Sequence, residues 1–147
     1  MAKLTLEQLR EKIERWQKVM PEKLKAALTR AAVEIIAEVQ ESHLSGPKMR
    51  RGVGSTTRAT LAVRTGRLRK SIHHRISVAA NKTTAQIGTN LVYGRIHEYG
   101  GTIANGFGQG LRIEMPERAY LRPSIRKMQP RVIELLMKGA VEDSYGK

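Results

Sequence analysis

Between Glu22 and Glu41, the residues Leu24, Ala27, Leu28, Ala31, Ile35 and Val39 recur at helical spacing. That period places them on one face of a helix of about 20 residues, roughly 30 Å long. Small Ala side chains on the face let another element come close, so this helix is the expected spine of the fold. Upstream, Thr5 and Gln8 have the form of a capping box, and Leu6, Leu9, Ile13 and Trp16 also share a helical face. They predict a first helix over residues 6–19. Pro21 interrupts the pattern and is expected to separate the two helices.

After Ser42 the periodicity stops. Ser45, Gly46, Pro47, Gly52, Gly54, Ser55, Thr56 and Thr57 mark a basic loop over 43–63. Loops of that length are uncommon unless they have a function or gain order on binding. Thr65 and Gly66 begin a short turn, and residues 72–78 and 84–87 read as two strands around Asn81-Lys82-Thr83. Residues 91–99 form a short helix ended by Gly100-Gly101, and a glycine-rich loop spans 105–110. A third strand covers 111–115, and a last helix opened by Pro123 runs to about Val141. This order predicts a single α+β domain, with long N-terminal helices and a C-terminal helix packed on a small antiparallel sheet.

The chain of 147 residues carries a formal charge of +14 and no cysteine. Disulfides, thiolate nucleophiles and Cys-ligated metals are therefore excluded. No apolar run is long enough to span a bilayer and the N-terminus lacks a signal-peptide pattern, so a soluble protein made in the cytoplasm is expected. The charge is concentrated in the middle. Residues 42–97 contain eleven basic side chains (Lys48, Arg50, Arg51, Arg58, Arg64, Arg67, Arg69, Lys70, Arg75, Lys82 and Arg95) and no Asp or Glu. A segment that cannot neutralise itself points to a phosphate backbone or an acidic protein surface as partner. The alternative is a basic face that is merely solvated.

The remaining patterns argue against catalysis. His73 and His74 fall on opposite faces of a strand, and His97-Glu98 has no second His four residues from the first, so the zinc-protease pattern is missing. No Ser sits in a nucleophile elbow, and Gly100, Gly101, Gly106, Gly108 and Gly110 match neither a phosphate-binding loop nor a dinucleotide fingerprint. Neither catalytic residues nor a cofactor or metal is expected. With one Phe, one Trp and four Tyr, a platform for stacking single-stranded bases is not expected either.

Three stretches carry a resemblance. They are Arg64-Thr65-Gly66-Arg67-Leu68-Arg69-Lys70-Ser71-Ile72, the run from Ile87 to Gly101 containing Tyr93-Gly94-Arg95-Ile96-His97-Glu98-Tyr99-Gly100-Gly101, and Pro116-Glu117-Arg118-Ala119-Tyr120-Leu121-Arg122-Pro123. Their order and spacing resemble the neck and tail-completion family of tailed bacteriophages, also described as virion morphogenesis or minor tail proteins. The resemblance implies a non-enzymatic virion protein, assembled in the host cytoplasm. It would form a homo-oligomeric ring, six- or twelve-fold, between the head connector and the tail tube or terminator, around the DNA path.

The same resemblance assigns structural and assembly roles to Gly66, Leu68, Ile72, Tyr93, Ile96, His97, Glu98, Tyr99, Gly100, Gly101, Leu121, Arg122 and Pro123. The final motif departs from the family in having Ala119-Tyr120 where Pro-Phe is expected, which keeps the aromatic. Residues 93–101 and 118–123 are expected either to supply one side of a subunit interface or to close the monomer's own core. Lys48, Arg50, Arg51, Arg58, Arg64, Arg67, Arg69 and Lys70 are the candidate contacts to DNA in the channel or to acidic neighbours. A free, sequence-independent DNA-binding protein is the competing reading.

Overall fold

The computed structural model describes residues 5–48, 61–63, 65–79, 82–104 and 112–141. Its elements are α1 (Leu6–Glu38), a π-helical turn (Val39–His43), β1 (Gly46–Lys48), β2 (Ala62–Val63), α2 (Arg67–Ser71), β3 (His73–Ala79), β4 (Lys82–Gly88), α3 (Val92–Tyr99), β5 (Gly101–Ala104), β6 (Arg112–Met115) and α4 (Leu121–Val141). The fold is α+β, as the element order predicts.

The expected break at Pro21 is absent, because α1 runs through it as one helix of 33 residues. Proline removes one backbone donor and leaves the carbonyl four residues earlier without its partner. Here that residue is Gln17, which is exposed, so water can take the carbonyl's bond. The N-terminus is fixed as expected: Gln8 N–H donates to Thr5 Oγ1 at 3.4 Å and Thr5 N–H to Gln8 Oε1 at 3.1 Å. At the other end Leu44 N–H bonds to the Val39 carbonyl, five residues back, at 3.1 Å.

Helix α4 packs antiparallel along the second half of α1. Lys127 pairs with Glu38 at 2.7 Å and Arg131 with Glu34 at 3.0 Å. Further along, Gly139 lies so close to Ala27 that a Cβ on the glycine would sit 3.0 Å from the alanine methyl. The small residues on α1 thus admit the close approach their sequence suggests. Pro130 lies inside α4 without ending it.

Strands β3 and β4 form an antiparallel hairpin in which Arg75 faces Gln86 and Ala79 faces Lys82, packed against α1. Lys82, expected in the turn, is the first residue of β4. Instead of adding a third strand, residues 112–115 pair with 101–104 as a separate antiparallel hairpin. The ends of the basic loop are tied together by the short parallel pair β1 and β2, and Leu61 N–H donates to the His43 carbonyl at 2.9 Å. The core is built from Ile35, Val39, Leu44, Leu61, Ile72 and Tyr120, with Leu68, Ile87, Leu121 and Met128 packed around them.

Candidate functional site

The second and third motif stretches meet inside the chain at Glu98. This residue lies near the end of α3 and is 3% exposed. Its Oε2 accepts from the backbone N–H of Tyr120 at 2.8 Å and of Leu121 at 2.9 Å, and its Oε1 accepts from the N–H of Arg122 at 2.9 Å. The start of an α-helix leaves four N–H groups without intrahelical acceptors, and the helix dipole favours negative charge there. At α4 three of these donors go to one carboxylate, and the fourth position is Pro123, which has no N–H to satisfy. A side chain 22 residues upstream therefore caps the helix completely.

Arg122 closes the arrangement from outside. Its Nε donates to Glu98 Oε1 at 3.1 Å, and one terminal nitrogen donates to the Glu98 carbonyl at 2.7 Å and to Glu117 Oε1. The guanidinium carbon stands 4.7 Å from the centre of the Tyr99 ring, within cation–π range. Burial by itself would raise the Glu98 pKa, but hydrogen bonds from Leu121, Tyr120 and Arg122 outweigh it and hold the carboxyl below its ordinary value. The group is ionised and bound at neutral pH, with no free lone pair aimed at a substrate.

Tyr120 is 1% exposed, and its hydroxyl donates to the Gly94 carbonyl at 3.2 Å. Burial, followed by the charge of Glu98 and the influence of Tyr93, pushes the phenol up to about 12. The aromatic at this motif position thus plugs the core beneath α3. Its seat depends on Gly94, where an added Cβ would stand 2.4 Å from Thr89 Cγ2 and 3.0 Å from the Tyr120 oxygen. Gly100 has φ +69 and lies against the backbone of Met115 and Glu117, so both its conformation and its surroundings favour glycine.

The first motif stretch packs on the same core. Gly66, at φ 68, precedes α2, while Ile72 is buried and Leu68 is packed against the core. Gln40 of the π turn donates to the Arg69 carbonyl at 2.9 Å, and Ser71 shares a hydrogen bond with Thr89 at 2.6 Å. His97 lies beside Tyr93 in an edge-on contact, and its carbonyl accepts from Arg118 N–H at 2.8 Å. Burial, then the charge of Arg118, holds the His97 pKa below the ordinary value, favouring the neutral ring. Ile96 is half-buried, as are Leu121 and Pro123, whereas Tyr93, Tyr99 and Gly101 are exposed. Sequence reasoning did not single out Gly94, Thr89, Glu117 or Tyr120 as site residues, although Tyr120 stood at the aromatic position of the last motif.

Of the predicted basic contacts, Arg67, Arg69 and Lys70 are exposed on α2, and Arg75, Lys82 and Arg95 are exposed nearby in the chain. None of the six makes an ion pair among the described residues. The backbone of Lys48 belongs to β1, and Arg50, Arg51, Arg58 and Arg64 lie outside the described residues. Among those described, no group of three His, Asp or Glu side chains could hold a metal ion, and no helix is long and apolar enough to cross a membrane.

No curated protein and no solved structure matches the chain. The phage virion morphogenesis family matches residues 3–141, a span that takes in all three motif stretches and the α1–α4 pair. With the match extending over nearly the whole sequence, the chain belongs to the phage virion morphogenesis family.

Proposed function

We propose that this virion morphogenesis protein is a structural component of the neck, forming a ring that joins the head connector to the tail tube and surrounds the DNA path. The observation that carries this reading is the contrast between its two kinds of charge. Three acidic side chains, Glu98, Glu34 and Glu38, are taken up in ion pairs that hold the helices in place. Six exposed cations of the middle segment have no such partner among the described residues. A surface of this kind suits a polyanion passing close by or the acidic face of an adjoining ring.

A closed ring needs two different patches on each subunit. The outer side of the Glu98 lock offers one, because Val92, Tyr93 and Tyr99 are exposed on α3 while the residues beneath them are fixed. In this reading Glu98 and Arg122 act by positioning that surface, and no catalytic step is assigned to the chain.

Deletion of the gene in the source phage or prophage, followed by electron microscopy of the induced lysate, tests the proposal. Filled heads separated from unjoined or malformed tails are the expected outcome. Intact, joined virions would reject it. The same exposed cations also favour a free DNA-binding protein, which would be missing from purified particles and would bind duplex DNA with a steep salt dependence.

A further inference from the structure

Among the described residues β3 and β4 pair only with each other, and their hairpin has two unlike faces. Inward, His74, Ile76, Ala85 and Ile87 are half-buried, and Ile87 packs on the core that holds Ile35 and Val39 of α1. Outward, the cross-strand rows are His73 with Gly88, Arg75 with Gln86, Ser77 with Thr84, and Ala79 with Lys82. Each row carries a side chain that can donate to an anion, and neither strand holds an Asp or Glu. Arg75, Gln86 and Lys82 are exposed and have no side-chain hydrogen bond or ion pair among the described residues. Gly88 differs from Gly94 and Gly100, which the fold requires. Its φ is not positive, and a Cβ built on it would meet nothing within 4 Å. The missing side chain instead leaves room in an open cavity of about 270 Å³ whose lining includes His73, Arg75, Gln86, Thr89 and Asn90. A glycine within a strand often marks the place where a ligand approaches the backbone.

We propose that this cavity seats one phosphate of duplex DNA, and that the outer face of the β3–β4 hairpin carries the phosphates that follow it on the same strand. Arg75 supplies a guanidinium fork to the seat and Gln86 an amide N–H. The His73 ring is held by its Nδ1, which donates to the Ser71 carbonyl at 3.0 Å. Its Nε2 is left for the ligand and becomes a donor when the ring takes up a proton, which a bound phosphate favours.

The length of the face favours a polymer over a free phosphate. Lys82 lies three rows from Gly88, about 20 Å along the hairpin, a distance over which one DNA strand carries about six phosphates. Donors repeated at steps of roughly 6.8 Å suit an anion with a regular repeat, which a duplex backbone has and a folded acidic surface has not. At the opposite end, the hydrogen bond between Ser71 and Thr89 joins the seat to α2, where Arg67, Arg69 and Lys70 are exposed. The choice of DNA as ligand rests on the reading that the chain surrounds the DNA path, whereas the seat is a property of the free protein.

Anisotropy of a short labelled duplex, titrated with the full-length protein across a salt series, tests the proposal. Gly88→Val fills the cavity without changing charge. It should weaken duplex binding roughly tenfold and melt no lower than the parent, since valine suits a strand; Gly88→Ala should fall between the two in affinity. Arg75→Gln and Lys82→Gln should each take about 0.9 from the logarithmic salt slope. Arg10→Gln makes the same change of charge on α1, roughly 38 Å along the helix from Ile35, and should leave the slope as it is. Parental affinity in Gly88→Val would overturn the seat, as would a parent that binds no duplex at low salt. Equal slope changes in the three Gln variants would overturn it in favour of diffuse attraction. Displacement of the duplex by polyglutamate at equal charge concentration would replace DNA with an acidic protein surface. Displacement by millimolar inorganic phosphate, with a parental slope in Lys82→Gln, would replace it with a free anion. The neck reading is decided separately by the gene deletion: unjoined heads and tails alongside parental binding by Gly88→Val would keep the ring and remove only the seat.

Discussion

Glu98 and Arg122 are joined three times: the Arg122 backbone N–H at 2.9 Å and its Nε at 3.1 Å reach the same carboxylate oxygen, and a terminal guanidinium nitrogen reaches the Glu98 carbonyl at 2.7 Å. One residue pair therefore fixes where α4 begins and how it leaves α3. Removing the carboxylate strands three helix-start donors, while Arg122 keeps its bonds to the Glu98 carbonyl and to Glu117. Glu98→Ala should cost about 2 kcal/mol, the upper end for losing a helix N-cap. Glu98→Gln should cost less, since one oxygen remains to accept. Urea unfolding of both variants against the parent checks the order; equal stability of all three would mean that the lock contributes nothing to folding.

The same contacts set a pH dependence. The Glu98 carboxyl is held below its ordinary value of 4.5 in the fold, so its contribution is fully present above that value. It is lost as pH falls through the lower folded pKa, because the unfolded chain takes up the proton first. His97 acts in the same direction at higher pH. Its folded pKa lies below the ordinary 6.5, so acidification from neutrality draws protons to the unfolded chain and stability falls. Melting curves should therefore show a first decline below about pH 6.5 that is flattened in His97→Gln. A second decline, below the carboxylate range, should be reduced in Glu98→Gln. A wild-type profile flat from about pH 7 to about pH 5 would contradict the His97 assignment, and one with no further loss below about pH 4.5 would contradict the Glu98 assignment.

The parts of the fold legible in the sequence are those governed by local repeats. The apolar stripe over Leu24 to Val39, the capping box at Thr5 and the strand pair around residues 81–83 each depend on neighbours a few positions apart. Pro21 misleads because its effect depends on whether solvent can reach the Gln17 carbonyl, which is a tertiary matter. The capping role of Glu98 is invisible for a related reason. Its acceptors serve backbone donors, which every residue but proline carries, so nothing in the side chains of residues 120–122 announces them. The three motif stretches mark segments that the fold brings onto one core, but nothing in their side chains says that two of them bind each other within one chain.

Gly94 gives a test of close packing in which two effects have opposite signs. Alanine is favoured over glycine inside a helix by about 1 kcal/mol, and α3 would gain that much. Against it, the new methyl would stand 2.4 Å from Thr89 Cγ2 and press on the Tyr120 hydroxyl. Thr89 is itself tied to Ser71, so relief requires moving the first motif stretch. Overpacking of this kind costs about 1–3 kcal/mol, and Gly94→Ala should be net destabilising. A Thr89→Ser change, which removes the clashing methyl but keeps the hydroxyl, should recover part of the loss in the double variant. A stabilised Gly94→Ala protein would show that α3 can shift away from Tyr120.

The basic surface makes the opposite prediction, a large effect on function with little on folding. Arg67, Arg69 and Lys70 are exposed and make no ion pair among the described residues, and the hydrogen bond from Gln40 goes to the backbone carbonyl of Arg69. Exposed changes away from structural contacts usually move stability by less than about 0.5 kcal/mol, so the triple Gln variant should melt like the parent. If these side chains face phosphates, duplex affinity measured across a salt series should lose about 0.9 from its logarithmic slope for each contact removed. Particle yield should fall in parallel. Extending the change to Lys48, Arg50, Arg51 and Arg58 tests the loop by the same two readouts. A parental salt slope and full particle yield in both variants would leave the middle segment a solvated face, and assembly would have to rely on the surface around Tyr93 and Tyr99 alone.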